Sequence, residues 1–219
     1  MKKIIFCIAL LLLVTTVSFA QSLNKIFLHF SEKELPVPMD IRQKMIDNKG
    51  NTLVNYGDYK LNVYDKRARF LKITNAWNNT YEIAVWKING KKELLVALCE
   101  TKTGVSNVST IRFYLPANNW ENVPTEKYIP EFTLDDFFSA KKLEKNYFTT
   151  ATVIKNFEVK TQFILPQVGN DIIVIFTCLD ELDKNEYQRI FKYLDGSMLD
   201  LIWTKENFVK GPAYFPAQN

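Results

Sequence analysis

Between Tyr59 and Leu115 the chain alternates apolar and polar side chains at a period close to two. Five runs carry the pattern: Tyr59–Tyr64, Arg69–Thr74, Thr80–Ile88, Glu93–Cys99 and Thr110–Leu115. Each reads as a β-strand. In the first, Tyr59, Leu61 and Val63 alternate with Lys60, Asn62 and Tyr64, which predicts one dry and one wet face. Asn89-Gly90 separates the third run from the fourth, and these residues tolerate the positive φ angles of a tight hairpin turn. Glu93–Cys99 breaks the alternation, because Leu94 to Leu98 is continuously apolar. That predicts a strand covered on both faces, central in an antiparallel sheet.

Helical periodicity flanks this run. Leu23, Ile26, Phe27 and Phe30 fall at i, i+3, i+4 and i+7, one face of a helix over Ser22–Phe30. Ser31-Glu32-Lys33-Glu34 has the spacing of a capping box. Met39–Asn48 reads as a second helix, with Pro38 near its start and Gly50 just past its end. Asn51–Gly57 reads as a loop. Pro116–Pro130, rich in proline and asparagine, reads as a longer loop and the best internal boundary. Beyond it, Thr133 is placed to cap a helix whose first turn carries Asp135 and Asp136. Phe157–Leu165 alternates as a strand, and Asp171–Cys178 is a nearly all-apolar one. Asp183 caps a helix with an apolar face of Tyr187, Ile190, Phe191 and Leu194, the one segment resembling a crossover. Met198–Trp203 and Asn207–Lys210 form a hairpin around Lys205-Glu206. The predicted class is α+β, mostly antiparallel sheet, with helices packed at the start, in the middle and near the C-terminus. Residues 21–130 and 131–219 read either as two similar α+β halves or as one continuous domain.

The first twenty residues stand apart. Met1-Lys2-Lys3 is basic, Ile4 to Val14 is apolar, and Ser18 and Ala20 are small residues at −3 and −1 of a cut before Gln21. This predicts a secretory signal peptide cleaved after Ala20 and a periplasmic or secreted location. The apolar run is shorter than the ~20 residues of a membrane span, and no later stretch is long enough to span. Loss of Lys2 and Lys3 lowers the formal net charge from +4 to +2, too balanced for a nucleic-acid partner. Cys99 and Cys178 both end apolar strands. Export permits a disulfide between them, and two buried thiols acting as small hydrophobes are the other reading.

Three groups of segments carry a family likeness. They are Ile26-Phe27-Leu28 with Glu34-Leu35-Pro36 and Ile41 to Asp47; Thr110 to Tyr114 with Trp120 and Leu134 to Phe138; and Leu199 to Trp203 with Asn207-Phe208-Val209. Together they resemble a family of secreted proteins of Bacteroidetes-type bacteria, the domain-of-unknown-function 3256 family. The likeness covers most of the chain after Ala20 and implies an exported protein of a Gram-negative cell. It brings no catalytic residues.

Most catalytic signatures are missing. His29 is the single histidine, so a Ser-His-Asp or Cys-His mechanism would need it. There is no Gly-x-Ser-x-Gly elbow, no His-Glu-x-x-His, no Cys-x-x-Cys, no phosphate or dinucleotide loop and no calcium-loop spacing. No catalytic residue, metal ligand or cofactor is predicted. Two acidic clusters remain, Asp135-Asp136 and Asp180-Glu181 with Asp183; both sit at predicted helix starts, where acids are favoured. Lys66-Arg67 with Arg69, and Lys91-Lys92, read as solvated hairpin tips or as contacts to an anionic surface. The aromatic surplus is more telling. Trp77, Trp86, Trp120 and Tyr114, with Phe148 and Tyr214 beside them, fall in loops or on strand faces, where exposed rings mark partner or carbohydrate surfaces. The leading expectation is an exported, non-enzymatic binding module for an envelope protein or glycan, using Trp77, Trp86, Trp120 and Tyr114. A small carboxylate-dependent hydrolase of envelope glycans and a structural or assembly factor of the envelope are the alternatives.

Overall fold

The computed structural model describes residues 22–88, 93–145 and 158–217. The segment expected to be a signal peptide, the Asn89-Gly90 pair expected as a turn, Lys91-Lys92, Phe148 and the first residue of the Phe157–Leu165 run lie outside them.

The chain is α+β and builds three layers. Helices α1 (Leu23–His29) and α2 (Met39–Asp47) form the first. The second is a seven-stranded antiparallel meander: β1 (Asn55–Tyr56), β2 (Tyr59–Asp65), β3 (Phe70–Asn75), β4 (Thr80–Lys87), β5 (Leu94–Lys102), β6 (Val108–Leu115) and β7 (Glu121–Val123), ordered as in the chain. The third is a four-stranded antiparallel sheet of β8 (Thr161–Ile164), β9 (Ile172–Phe176), β10 (Met198–Trp203) and β11 (Phe208–Lys210), also in chain order. Short helices α3 (Ala140–Glu144) and α4 (Lys184–Phe191) complete it.

Two apolar clusters join the layers. One packs Leu23, Ile26, Phe27 and Phe30 of the α1 segment against Leu61, Ile73, Ile83, Val96, Leu98 and Tyr114 of the large sheet. The other fills the space between the sheets, with Ala84, Trp86, Leu95, Ala97, Cys99, Ile111 and Phe113 facing Phe163, Val174, Phe176, Leu199, Leu201 and Phe208. Strand β5 explains both. Its side chains alternate between the clusters, Val96 and Leu98 toward the helices and Leu95, Ala97 and Cys99 toward the second sheet. A strand apolar on both faces is what a middle layer requires.

The first helix begins at Ser22, whose hydroxyl accepts from Lys25 N. Helix α2 ends before Lys49 and Gly50, both at positive φ, the left-handed exit that glycine makes cheaply. Arg42 of α2 is fully buried and donates from Nη1 to the carbonyls of Phe27 and Phe30, at 2.9 and 2.6 Å. It thereby satisfies carbonyls at the end of α1 that have no helical partner.

Several expectations are corrected. Strand β2 does not keep Tyr59, Leu61 and Val63 on one face. Its register against β3 shifts between Leu61 and Val63, so Leu61 joins the helix-side cluster while Val63 packs on the inter-sheet one. A bulge adds one residue and reverses the faces beyond it. The loop expected over Asn51–Gly57 contains β1, and that over Pro116–Pro130 contains β7, which pairs with β6. Thr133 and Asp136 do form a reciprocal capping box, but it opens only the 3-10 turn Leu134–Asp136. The segment Asp183–Leu194 is no crossover, because β9 and β10 are antiparallel neighbours. Its predicted face is half used: Ile190 and Leu194 are buried, while Tyr187 and Phe191 are exposed and line up with Phe215.

Cys99 and Cys178 are free and buried, so the disulfide left open by the sequence is not formed. Both thiols belong to the inter-sheet cluster, and the Cys99 thiol donates to the carbonyl of Phe163. Burial pushes the Cys99 thiol up to about 12 and the Cys178 thiol up to about 11. Since the thiolate is the reactive form, neither should react with an Ellman-type disulfide reagent in the native protein, and both should in urea. Rapid native labelling of either would contradict their placement.

Candidate ligand-binding cleft

Three connections meet at one end of the two sheets. In the β2–β3 turn the Asp65 carboxylate accepts from the backbone N–H groups of Arg67 and Ala68, at 2.8 and 2.9 Å. This side-chain turn fixes the path between the strands, and Arg69 leaves it at φ 56°. The second connection is the end of β4, with Trp86, Lys87 and the following Ile88. The third is the β10–β11 turn, closed by hydrogen bonds between Thr204 and Asn207 with Lys205 at φ 78°.

Trp86 ties them together. Its Nε1–H donates to the carbonyl of Asn170 in the β8–β9 loop at 2.7 Å. Its ring meets Phe208 edge-on at 5.3 Å and lies 6.2 Å from Trp203. Trp203 is half-buried and is held by its backbone N–H, which donates to the Asp171 carboxylate. Over this aromatic floor opens a cleft of about 620 Å³, within the range of about 300–1,000 Å³ typical of small-ligand sites.

The cleft's charge is one-sided. Arg67, Arg69, Lys87 and Lys205 line it, and no acidic side chain does. None of these four cations is in an ion pair among the described residues. Asp65 is nearby in sequence, but its carboxylate holds the turn. Like charges gathered over a low-dielectric wall create a positive potential that draws anions. Arginine and lysine donors beside the half-buried ring of Trp203 suit a ligand with carboxylate, phosphate or sulfate groups on an otherwise ring-like body. No group of three histidine, cysteine or acidic residues able to hold a metal occurs among the described residues.

The four aromatics singled out in the sequence do not form one surface. Trp86 is 2% exposed, a core residue that forms the floor of the cleft and offers no free surface. Tyr114 is also 2% exposed, edge-on to Phe30 beneath α1, and burial pushes its phenol up to about 12. Trp120 is half-buried and stacks on His29, with ring centroids 3.9 Å apart and planes 12° apart. Trp77 alone is largely exposed, at 71%. The site residues that the sequence did not single out are Trp203, Lys87, Lys205 and Asn170. The nearest signal for them was that cations cluster at several hairpin ends.

The His29–Trp120 stack carries a pH dependence. Burial lowers the His29 pKa, opposed by the negative charge of Glu34. A histidine held below its ordinary value stabilises the fold above about pH 6.5 and loses that contribution as pH falls through the lowered value. His29→Phe keeps the stack and removes the titration. Its urea midpoint should therefore fall less than the wild type's between neutral and mildly acidic pH. Equal losses would show that His29 does not titrate against the fold.

The acids considered for hydrolysis do not line the cleft. Asp136 accepts from Thr133 and pairs with Lys210 at 2.7 Å, and Asp183 caps α4 through Asn185 N and Glu186 N. Glu181 accepts from Ser106 and pairs with Lys160.

No family model matches this chain, and no curated protein does. Among solved structures it is similar to a domain of an uncharacterized protein from Porphyromonas gingivalis W83. The TM-score is 0.67 at 17% identity, over 86% of this chain and 97% of that one. At that identity the likeness establishes the fold, which this chain shares with a Bacteroidetes protein of no stated function.

Proposed function

We propose that this chain is an exported, non-enzymatic binding module of the bacterial cell envelope, belonging with the domain-of-unknown-function 3256 family, and that it holds an anionic envelope ligand in the Trp86–Trp203 cleft. The observation that carries the reading is the set of four cations, without an acid among them, around an aromatic-floored cleft. Export is supported by the basic start, apolar run and small residues before Gln21. The shared fold with the Porphyromonas domain is consistent with a Bacteroidetes-type family. Among the described residues no helix is long and apolar enough to cross a membrane. Binding comes before catalysis here because His29 is stacked on Trp120, and Asp136, Glu181 and Asp183 serve caps and ion pairs.

Fractionation of the native cell, followed by mild cross-linking of tagged protein and mass spectrometry, tests the cellular part. Recovery in the periplasm or medium with envelope glycan or lipid-linked material attached is expected. Recovery of the uncut chain in the cytoplasm would refute export. A permanent one-to-one protein partner would favour an assembly factor instead.

A further inference from the structure

At the other end of β3, about 20 Å away for six extended residues, lies a second opening of different chemistry. It has a volume of about 390 Å³, and Asn55, Tyr59, Asn62, Thr74 and Asn78 line it. Its charged lining residues are Asp58 and Lys60, one of each sign, so no net charge selects a ligand. Side-chain amides dominate. Each offers two donors and an acceptor, the combination that matches a hydroxyl group, which both donates and accepts. The side chains of Asn55 and Asn78 make no hydrogen bond among the described residues. Asn62 accepts from the Thr74 hydroxyl at 2.7 Å, which leaves its two N–H donors.

Aromatic faces accompany the amides. The Tyr59 hydroxyl donates to the carbonyl of Pro36, which anchors that ring in the wall. Trp77 does not line the opening, but it follows the lining residue Ala76 and precedes the lining residue Asn78, and it is 71% exposed. The loop beneath it is rigidly built. Asn75 Oδ1 accepts from the N–H groups of Trp77 and Asn79, and the carbonyl of Asn78 accepts from the Thr103 hydroxyl at 2.8 Å. A large apolar ring held in water on a braced turn loses little freedom when a flat apolar face covers it. The ring C–H face of a sugar is such a surface.

We propose that this groove is a binding site for a neutral saccharide, with Asn55, Asn62 and Asn78 as its hydrogen-bonding groups, Tyr59 in its wall, and the exposed ring of Trp77, next to the lining residues Ala76 and Asn78, as the face a bound sugar would extend onto. It shares no lining residue with the cationic cleft, so either site stands if the other fails.

The test is a titration of the 15N-labelled mature chain with neutral hexasaccharides built of glucose in β-1,4 and α-1,4 linkage, of mannose and of N-acetylglucosamine, followed by amide and indole resonances. At least one should give saturable shifts at the Trp77 indole N–H and the side-chain amides of Asn55, Asn62 and Asn78. Trp77→Ala, at an exposed position that the fold does not need, should weaken that binding about tenfold. Arg69→Gln with Lys87→Gln should leave it unchanged. The proposal is overturned if none of the four sugars moves these signals, or if Trp77→Ala binds as tightly as the wild type.

Discussion

Neutralising the cleft with Arg67→Gln, Arg69→Gln, Lys87→Gln and Lys205→Gln is expected to weaken binding of an oligogalacturonate about a hundredfold. Each solvent-flanked cation is worth about 0.7 kcal/mol to a facing anion, and four together approach the 2.7 kcal/mol of two decades in affinity. The same substitutions should leave the protein as stable as before, or slightly more stable at low salt. The four cations have no ion-pair partner among the described residues, so the folded state gains nothing from them and bears their mutual repulsion. Added salt should erase any such gain by screening. This combination separates a binding site from a structural feature, since residues kept for the fold cost stability when removed. Thermal melts of the variant at two ionic strengths, beside its binding isotherm, check both halves.

The second large effect concerns the joint between the sheets. Glu82 of β4 is 3% exposed. One carboxylate oxygen pairs with Lys72 at 2.8 Å, and the other accepts from Leu165 N just beyond β8, at 2.9 Å. One side chain therefore links β3, β4 and the second sheet. Glu82→Ala should destabilise the protein by about 3 kcal/mol, because it strands a buried N–H, unpairs the lysine and leaves a void. For a chain of this size that is a fall of about 9 °C in Tm. Lys72→Met should cost less, since Lys72 is one-third exposed and water replaces part of its partner's loss. Equal costs for the two variants in urea melts would show that the tie to Leu165 contributes nothing.

Local signals in the chain were faithful. The five strands begin and end within a few residues of the alternating runs, Ser22 and Asp183 cap their helices, and the doubly apolar β5 lies between β4 and β6. These features depend on neighbours in sequence, where periodicity and capping chemistry act. What depends on the third dimension was not legible. The bulge between Leu61 and Val63 has no compositional mark, and it turns the rest of β2 over. Trp86 and Tyr114 sit on strands that water would reach if the sheet had one covered face. Helices cover one side and a second sheet the other, so both rings are buried. The cleft is assembled from residues 67–69, 85–88, 170, 203 and 205. Arg67 and Arg69 read from the sequence as solvated turn charges or as contacts to an anionic surface, but nothing in the sequence says that Trp203 and Lys205 line the same cleft.

Binding of an anionic ligand in the Trp86–Trp203 cleft is tested most directly by calorimetric titration of residues 21–219 with an oligogalacturonate and with a heparin hexasaccharide, beside a neutral dextran of equal length. Saturable binding of at least one anion is predicted, weakening as salt rises and lost in the four-fold glutamine variant, with no cleft-dependent signal from dextran. Absence of binding by both anions, or equal binding by the variant, would contradict it.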